Sequence, residues 1–146
     1  MKTRQTSRLD QQDHRLLGLW AADCAEHVLP YFEAKHPQDD RPRKAIEAAR
    51  AWVRGEIRCG EARAAAVAAH AAARDAVDPA ASAAARAAGH AAATAHVATH
   101  ARGAASYAVK AAAASGADRE SDWQYRRLPE HLRPAVSLAP GVTGSA

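Results

Sequence analysis

The sequence has few of the residues that crosslink a small protein or give it a reactive centre. It contains two cysteines, one phenylalanine and one methionine among 146 residues. Cys24 and Cys59 are far apart and form no C-x-x-C pattern, so a reduced, cytosolic compartment is expected. Neither a glycine-rich phosphate loop nor a Ser/His/Asp arrangement with an elbow motif is present. The sequence therefore gives no positive sign of an enzyme.

Long apolar runs are missing as well. Charged side chains such as Arg63, Arg74 and Arg86 interrupt the alanine-rich part of the chain, so no transmembrane helix is predicted. The first residues are polar and lack the apolar core of a secretory signal. Together these absences predict a soluble, cytoplasmic protein.

Charge of one sign is also limited. The formal net charge is +4, and we expect most basic residues to be interleaved with acidic ones. The exceptions are Lys2, Arg4 and Arg8 near the N-terminus and the pair Arg126-Arg127. Dedicated nucleic-acid binders usually carry a basic patch, so nucleic-acid binding is not indicated. A dimeric regulatory protein that meets nucleic acid through its basic termini stays open as a third interpretation.

Alanine is what the sequence has in abundance. It occupies 42 positions and more than half of residues 61–117, and it has the highest helix propensity of all residues. We therefore predict an all-α protein with one compact domain, residues 9–133, of five or six antiparallel alanine-rich helices, between flexible termini at residues 1–8 and 134–146. A loose echo between two segments leaves stacked helical hairpins open. An alanine-rich face can also form a homodimer seam.

Proline and glycine suggest where the helices end. Pro30 is expected to end or kink a first helix, and Asp39 and Asp40 to cap a second over residues 39–57. The Asp78-Pro79 pair predicts a helix that starts at Pro79 and runs to about residue 100. A further helix is predicted from Gly103 to residue 114.

Several segments carry a family resemblance. They are residues 20–30 (WAADCAEHVLP), 41–52 (RPRKAIEAARAW), 89–97 (GHAAATAHV) and 103–110 (GAASYAVK), with Trp123-Gln124 and Leu128-Pro129. As a set they resemble a family of bacterial putative immunity proteins, over about residues 16–133. The resemblance implies a small all-α, non-enzymatic protein that binds and masks a partner toxin. The resemblance implies no defined set of catalytic residues.

A binding surface is predicted where the fourth and fifth helices of the sequence meet. Polar side chains cluster there, and Gly103 would let a ligand or a partner backbone come close. Exposed arginine, aspartate and tryptophan side chains are expected to serve as anchors for a partner. The candidate binding residues are Asp23, Arg43, Trp52, His90, His96, Arg102, Tyr107 and Lys110.

The histidines suggest an alternative function. His96 and His100 are four residues apart on one predicted helix, but Val97 stands where the glutamate of an H-E-x-x-H zinc helix would be. No metal and no other cofactor is therefore predicted. Asp23 and His27 have the same spacing and could form an acid–base pair. A pocket near His96, Tyr107 and Asp23 would fit a small-molecule-binding or catalytic protein of a biosynthetic or resistance pathway.

Overall fold

The structure, a computed structural model, describes residues 10–136. Within these residues the chain is helical and contains no strand, which confirms the predicted all-α class. The α-helices are α1 (Gln11–Glu33), α2 (Arg41–Val53), α3 (Cys59–Asp75), α4 (Pro79–Ala93), α5 (His100–Ala114) and α6 (Glu120–Arg127), followed by a 3-10 helix (Glu130–Val136).

The first helix is longer than the sequence predicts. Pro30 lies inside α1, which continues to Glu33. A proline removes one backbone hydrogen bond from a helix, but the next turn buries Phe32 almost completely. Burial of an aromatic side chain is worth about 1.5–3 kcal/mol, which offsets much of the roughly 3 kcal/mol that a proline inside a helix costs.

The second helix is shorter than the predicted 39–57. It begins at Arg41, where Asp39 accepts a hydrogen bond from the Arg41 backbone N–H at 3.1 Å. Asp40 precedes the helix but makes no side-chain capping bond. The helix ends at Val53, and Gly55 then adopts a positive φ of 78°. Such a left-handed residue commonly follows a helix end.

The largest difference lies between the fourth and fifth helices. The predicted helix from Pro79 to about residue 100 is wrong, because α4 stops at Ala93 and His100 begins α5. Thr94 is fully buried at this break, and its hydroxyl donates to the His90 carbonyl at 2.9 Å. His14 of α1 contacts the Thr94 carbonyl at 2.6 Å. That carbonyl is thus bound by a distant side chain instead of continuing the helix.

Helix α4 is the centre of the bundle. It packs against α1, α2, α3 and α5, and α1 also packs against α5. Eight alanines and Gly89 of α4 are buried. Because alanine is small, helices can surround α4 at short distance, but little apolar area is buried per residue.

Larger side chains hold the two ends of the chain together. Helix α1 supplies much of this core, including Leu17, Trp20 and Phe32. The sequence did not indicate the C-terminal contribution, in which Leu132 and Val136 of the 3-10 helix are buried. This helix runs past the predicted domain end at residue 133. The rest of the tail predicted to be flexible, and residues 1–8, lie outside the described residues.

Candidate functional site

Helices α3, α4 and α5 carry polar side chains at helical spacing that meet on one side of the bundle. On α3 and α4 these residues are four apart, and on α5 they are seven and three apart, so each set forms a stripe on its helix. We call the combined surface the histidine face. It consists of His70, Arg74, Arg86, His90, His100, Tyr107 and Lys110.

His90 is the centre of this face and contacts a ring from each neighbouring helix. The His70 ring meets it edge-on, with 5.1 Å between ring centroids and 81° between planes. On the other side Tyr107 is stacked at 5.3 Å and 14°. His100 completes the group, with its Nδ1 atom 3.1 Å from the His90 Nδ1 atom. Three rings, from α3 and α5, are therefore grouped around His90 of α4.

Two glycines inside helices make room for the rings. A Cβ atom built on Gly89 would lie 2.7 Å from the His70 ring, and one on Gly103 would lie 2.6 Å from the Nδ1 atom of His90. A glycine within a helix costs about 1 kcal/mol relative to alanine. The close approach of the two rings explains why glycine occupies both positions.

Burial keeps the histidines of this face uncharged. Desolvation, followed by the charges of neighbouring groups, lowers the pKa of His90 to about 4. Burial also lowers the pKa of His70, and the nearby Arg86 and Arg74 lower it further. The pKa of His100 is lowered by burial and then by His96. At pH 7 the three rings are therefore neutral, each with one N–H donor and one acceptor nitrogen.

The positive charge of the face comes from the arginines and Lys110. Arg86 is half-buried and donates from Nη1 to the His70 Nδ1 atom at 3.1 Å. Lys110 places its ammonium group 4.9 Å from the centroid of the Tyr107 ring, which is within cation–π range. Among residues 10–136, no carboxylate forms an ion pair with Arg74, Arg86 or Lys110.

The structure thus brings together three of the candidate binding residues, namely His90, Tyr107 and Lys110. His96 is exposed in the turn before α5, close enough to His100 to affect its pKa. Because α4 ends early, His96 and His100 do not share a helix. Arg102 is exposed on α5, beside Gly103 in the chain.

Asp23 belongs to a different site. It accepts hydrogen bonds from Arg50 at 2.8 Å and Arg127 at 3.4 Å. The adjoining cavity has a volume of about 380 Å³. Its lining is formed by Asp23, Glu26, His27, Pro30, Trp123 and Arg127. The lining includes neither His96 nor Tyr107, so these residues do not share this pocket with Asp23.

The expected pair of Asp23 and His27 does not form. The His27 Nδ1 atom contacts the Glu120 carboxylate at 2.8 Å instead. Its ring is stacked on Trp123, with 3.7 Å between centroids. Both partners come from α6, so His27 links α1 to the C-terminal part of the chain.

The remaining two candidates are engaged in contacts within the fold. The Trp52 ring lies against Gly18, where an added Cβ would be 3.0 Å from the ring, and its backbone carbonyl accepts a bond from Arg15. Arg43 is exposed and pairs with Glu33 at 2.7 Å. Both residues connect α2 to α1 and lie apart from the histidine face.

Sequence reasoning missed the roles of His70, Arg86 and His100 in this face. A signal was present, because His70 and His90 can each be matched with a glycine on the next helix, but using it requires knowing which helices are neighbours. Among residues 10–136, no three histidine, cysteine, aspartate or glutamate side chains are grouped so as to hold a metal ion.

The chain is a small helical protein with a polar, cationic and partly aromatic face. The family model described as Imm-5 like putative immunity protein matches residues 7–131, and the chain belongs to this family. This confirms the resemblance that the sequence motifs indicate. Neither the curated proteins nor the solved structures gave a match. Among residues 10–136, no helix has both the length and the apolarity needed to cross a membrane.

Proposed function

We propose that this chain is a non-enzymatic immunity protein of the bacterial cytoplasm, which neutralises a partner toxin by covering part of its surface. Membership of the immunity family supports a partner protein. The observation that carries the proposal is the histidine face, which combines Tyr107, Arg86 and Lys110 on one side of the bundle. Tyrosine and arginine are enriched among the residues that dominate binding energy in protein interfaces.

The construction of the face suits tight binding. Each ring is held by another ring, and His70 and His90 are seated against glycines of neighbouring helices. Side chains that are already ordered lose less conformational entropy when a partner binds. The face therefore presents its aromatic and cationic groups in fixed positions, as masking a toxin requires.

Native mass spectrometry of the protein, purified gently from its own host, tests this proposal. We expect a bound partner of protein mass. Tyr107→Ala and Lys110→Ala should each reduce the fraction of complex. The matched control is Lys35→Ala, which removes an exposed cation away from the face and should leave the complex intact.

Two outcomes would contradict the proposal, and a third would move the partner to another surface. If the purified protein carries no bound partner, the proposal loses its support. An adduct of only small-molecule or metal mass would favour a ligand-binding protein instead. A protein complex equally populated in Lys110→Ala and Lys35→Ala would show that the partner binds another surface.

A further inference from the structure

We infer that the histidine face binds a carboxylate-rich segment of a partner protein. The inference rests on the proposed function and specifies the chemistry of the partner. It starts from the distribution of charge along the chain. Basic and acidic residues are less evenly interleaved than we expected. Between Ala62 and Ala117 there are five basic residues and only two carboxylates.

Both carboxylates of this segment already have partners. Asp75 accepts a hydrogen bond from Arg41 of α2 at 3.0 Å. Asp78 caps α4 by accepting from the backbone N–H of Ala81 at 2.9 Å. Neither forms an ion pair with a cation of the histidine face.

Helix α2 shows the opposite pattern. Arg41, Arg43 and Arg50, like Arg54 just after the helix, each form an ion pair with a carboxylate. On this side of the protein the positive charge is compensated within the fold. Within residues 10–136, α4 and α5 are the helices that carry basic residues and no carboxylate, so an acidic partner would find its complement there.

Arg86 is the anchor to which the geometry points. One of its terminal nitrogens donates to His70, and a guanidinium has five N–H donors in all. Its remaining donors can form a two-pronged pair with a carboxylate, which is among the strongest hydrogen-bonded contacts in proteins. Because the site is half-buried and the adjacent imidazoles are neutral, this charge is only weakly screened.

The spacing of the cations favours a protein over a nucleic acid. Arg74, Arg86 and Lys110 come from three different helices and are separated by uncharged rings. A nucleic-acid backbone is usually held by many cations that follow its regularly spaced phosphates. A few separate cations with aromatic groups between them suit isolated carboxylates on a protein surface better.

The inference can be tested with a defined probe, fluorescent poly-L-glutamate of about 20 residues, whose binding is followed by anisotropy at several salt concentrations. The test variant is Arg74→Glu/Lys110→Glu. The matched control is Lys35→Glu/Arg119→Glu, which changes the net charge by the same amount at exposed positions outside the face. Circular dichroism verifies that both variants fold.

We expect the face variant to bind the probe about tenfold more weakly and the control to change it less than about twofold. Salt should weaken binding to the wild type more than to the face variant. An equal loss of affinity for poly-L-glutamate in both variants would show that only net charge matters. If the wild type does not bind the probe, the proposed binding site is wrong. Tighter binding of a 20-base-pair DNA duplex than of poly-L-glutamate would overturn the choice of a protein partner.

The two proposals can fail separately. If the complex from the host is insensitive to Arg74→Glu/Lys110→Glu, the chemistry assigned to the face is wrong while the immunity function stands. If the face variant alone loses poly-L-glutamate binding but the host yields no protein partner, the acidic preference stands and the immunity function is wrong.

Discussion

The ring of His90 lies directly over Gly103, so that a Cβ atom at residue 103 would be 2.6 Å from the His90 Nδ1 atom and 2.9 Å from its Cγ atom. Since the Cγ atom is at the base of the ring, His90 cannot make room by a small rotation. It would have to leave its stack with Tyr107. The contact between α4 and α5 therefore depends on the absence of a side chain at residue 103.

Gly103→Ala should lower the free energy of unfolding by about 1–2 kcal/mol, because overpacking outweighs the better helix propensity of alanine. Urea unfolding measures this change. Gly60→Ala is the matched control, since Gly60 also lies in a helix but a Cβ atom there would meet nothing within 4 Å. The control should be neutral or slightly stabilising, and a similar loss in both variants would contradict the account.

Gly89 and His70 should be energetically coupled. Gly89→Ala alone would place a Cβ atom 2.7 Å from the His70 ring and should destabilise the protein. In the His70→Ala background the ring is gone, so Gly89→Ala should then be neutral or stabilising. A double-mutant cycle by urea unfolding measures the coupling, which we expect to be about 1–2 kcal/mol. Additive effects would mean that the ring does not determine the need for glycine.

The histidine face should make stability depend on pH. The folded pKa of His90, about 4, is below its ordinary value of 6.5, mainly because burial disfavours the charged form. Between these values the unfolded state binds more protons than the folded state, so stability rises with pH. On acidification from pH 6.5 to pH 4 the contribution of His90 falls, and below pH 4 it becomes constant.

A comparison of two variants isolates this effect. Thermal unfolding followed by circular dichroism should show a smaller decrease in Tm from pH 7 to pH 4 for His90→Gln than for the wild type. His96→Gln is the control, because His96 is exposed and acts on the face only through the pKa of His100, and it should change the slope much less than His90→Gln. If His90→Gln also keeps the wild-type slope, the ring does not titrate as its burial requires.

The ion pairs on the opposite side of the molecule should differ in strength. Arg50 joins α2 to α1 through Asp23 and Glu26, and its side chain is one-quarter exposed. Arg54 pairs only with its sequence neighbour Glu56, and both are more than half exposed. We expect Arg50→Ala to cost about 1–2 kcal/mol and Arg54→Ala less than about 0.5 kcal/mol in urea unfolding. Equal costs would show that the link between helices adds no stability.

The helical class was predictable because alanine acts locally, through its own backbone preference. The break after Ala93 was not, because it depends on His14, which is 80 residues away from Thr94 in sequence. Pro30 was misjudged for a related reason. Its local cost is offset in large part by the burial of Phe32, which only the packed structure reveals.

The candidate site was predictable in part. His90, Tyr107 and Lys110 were found because they lie near Gly103 in the sequence. His70 and Arg86 could not be grouped with them, since this requires knowing that α3 lies beside α4. Asp23 was added from its charge and spacing alone, and the fold places it in another cavity.

Hydrogen–deuterium exchange on the complex recovered from the host tests the central claim most directly. Binding through the histidine face predicts slower exchange in α4 and α5 and in the part of α3 that carries His70 and Arg74, relative to the free protein. Exchange in α2 and α6 should stay unchanged. Protection confined to α1, α2 or α6, with α4 and α5 unaffected, would contradict the account.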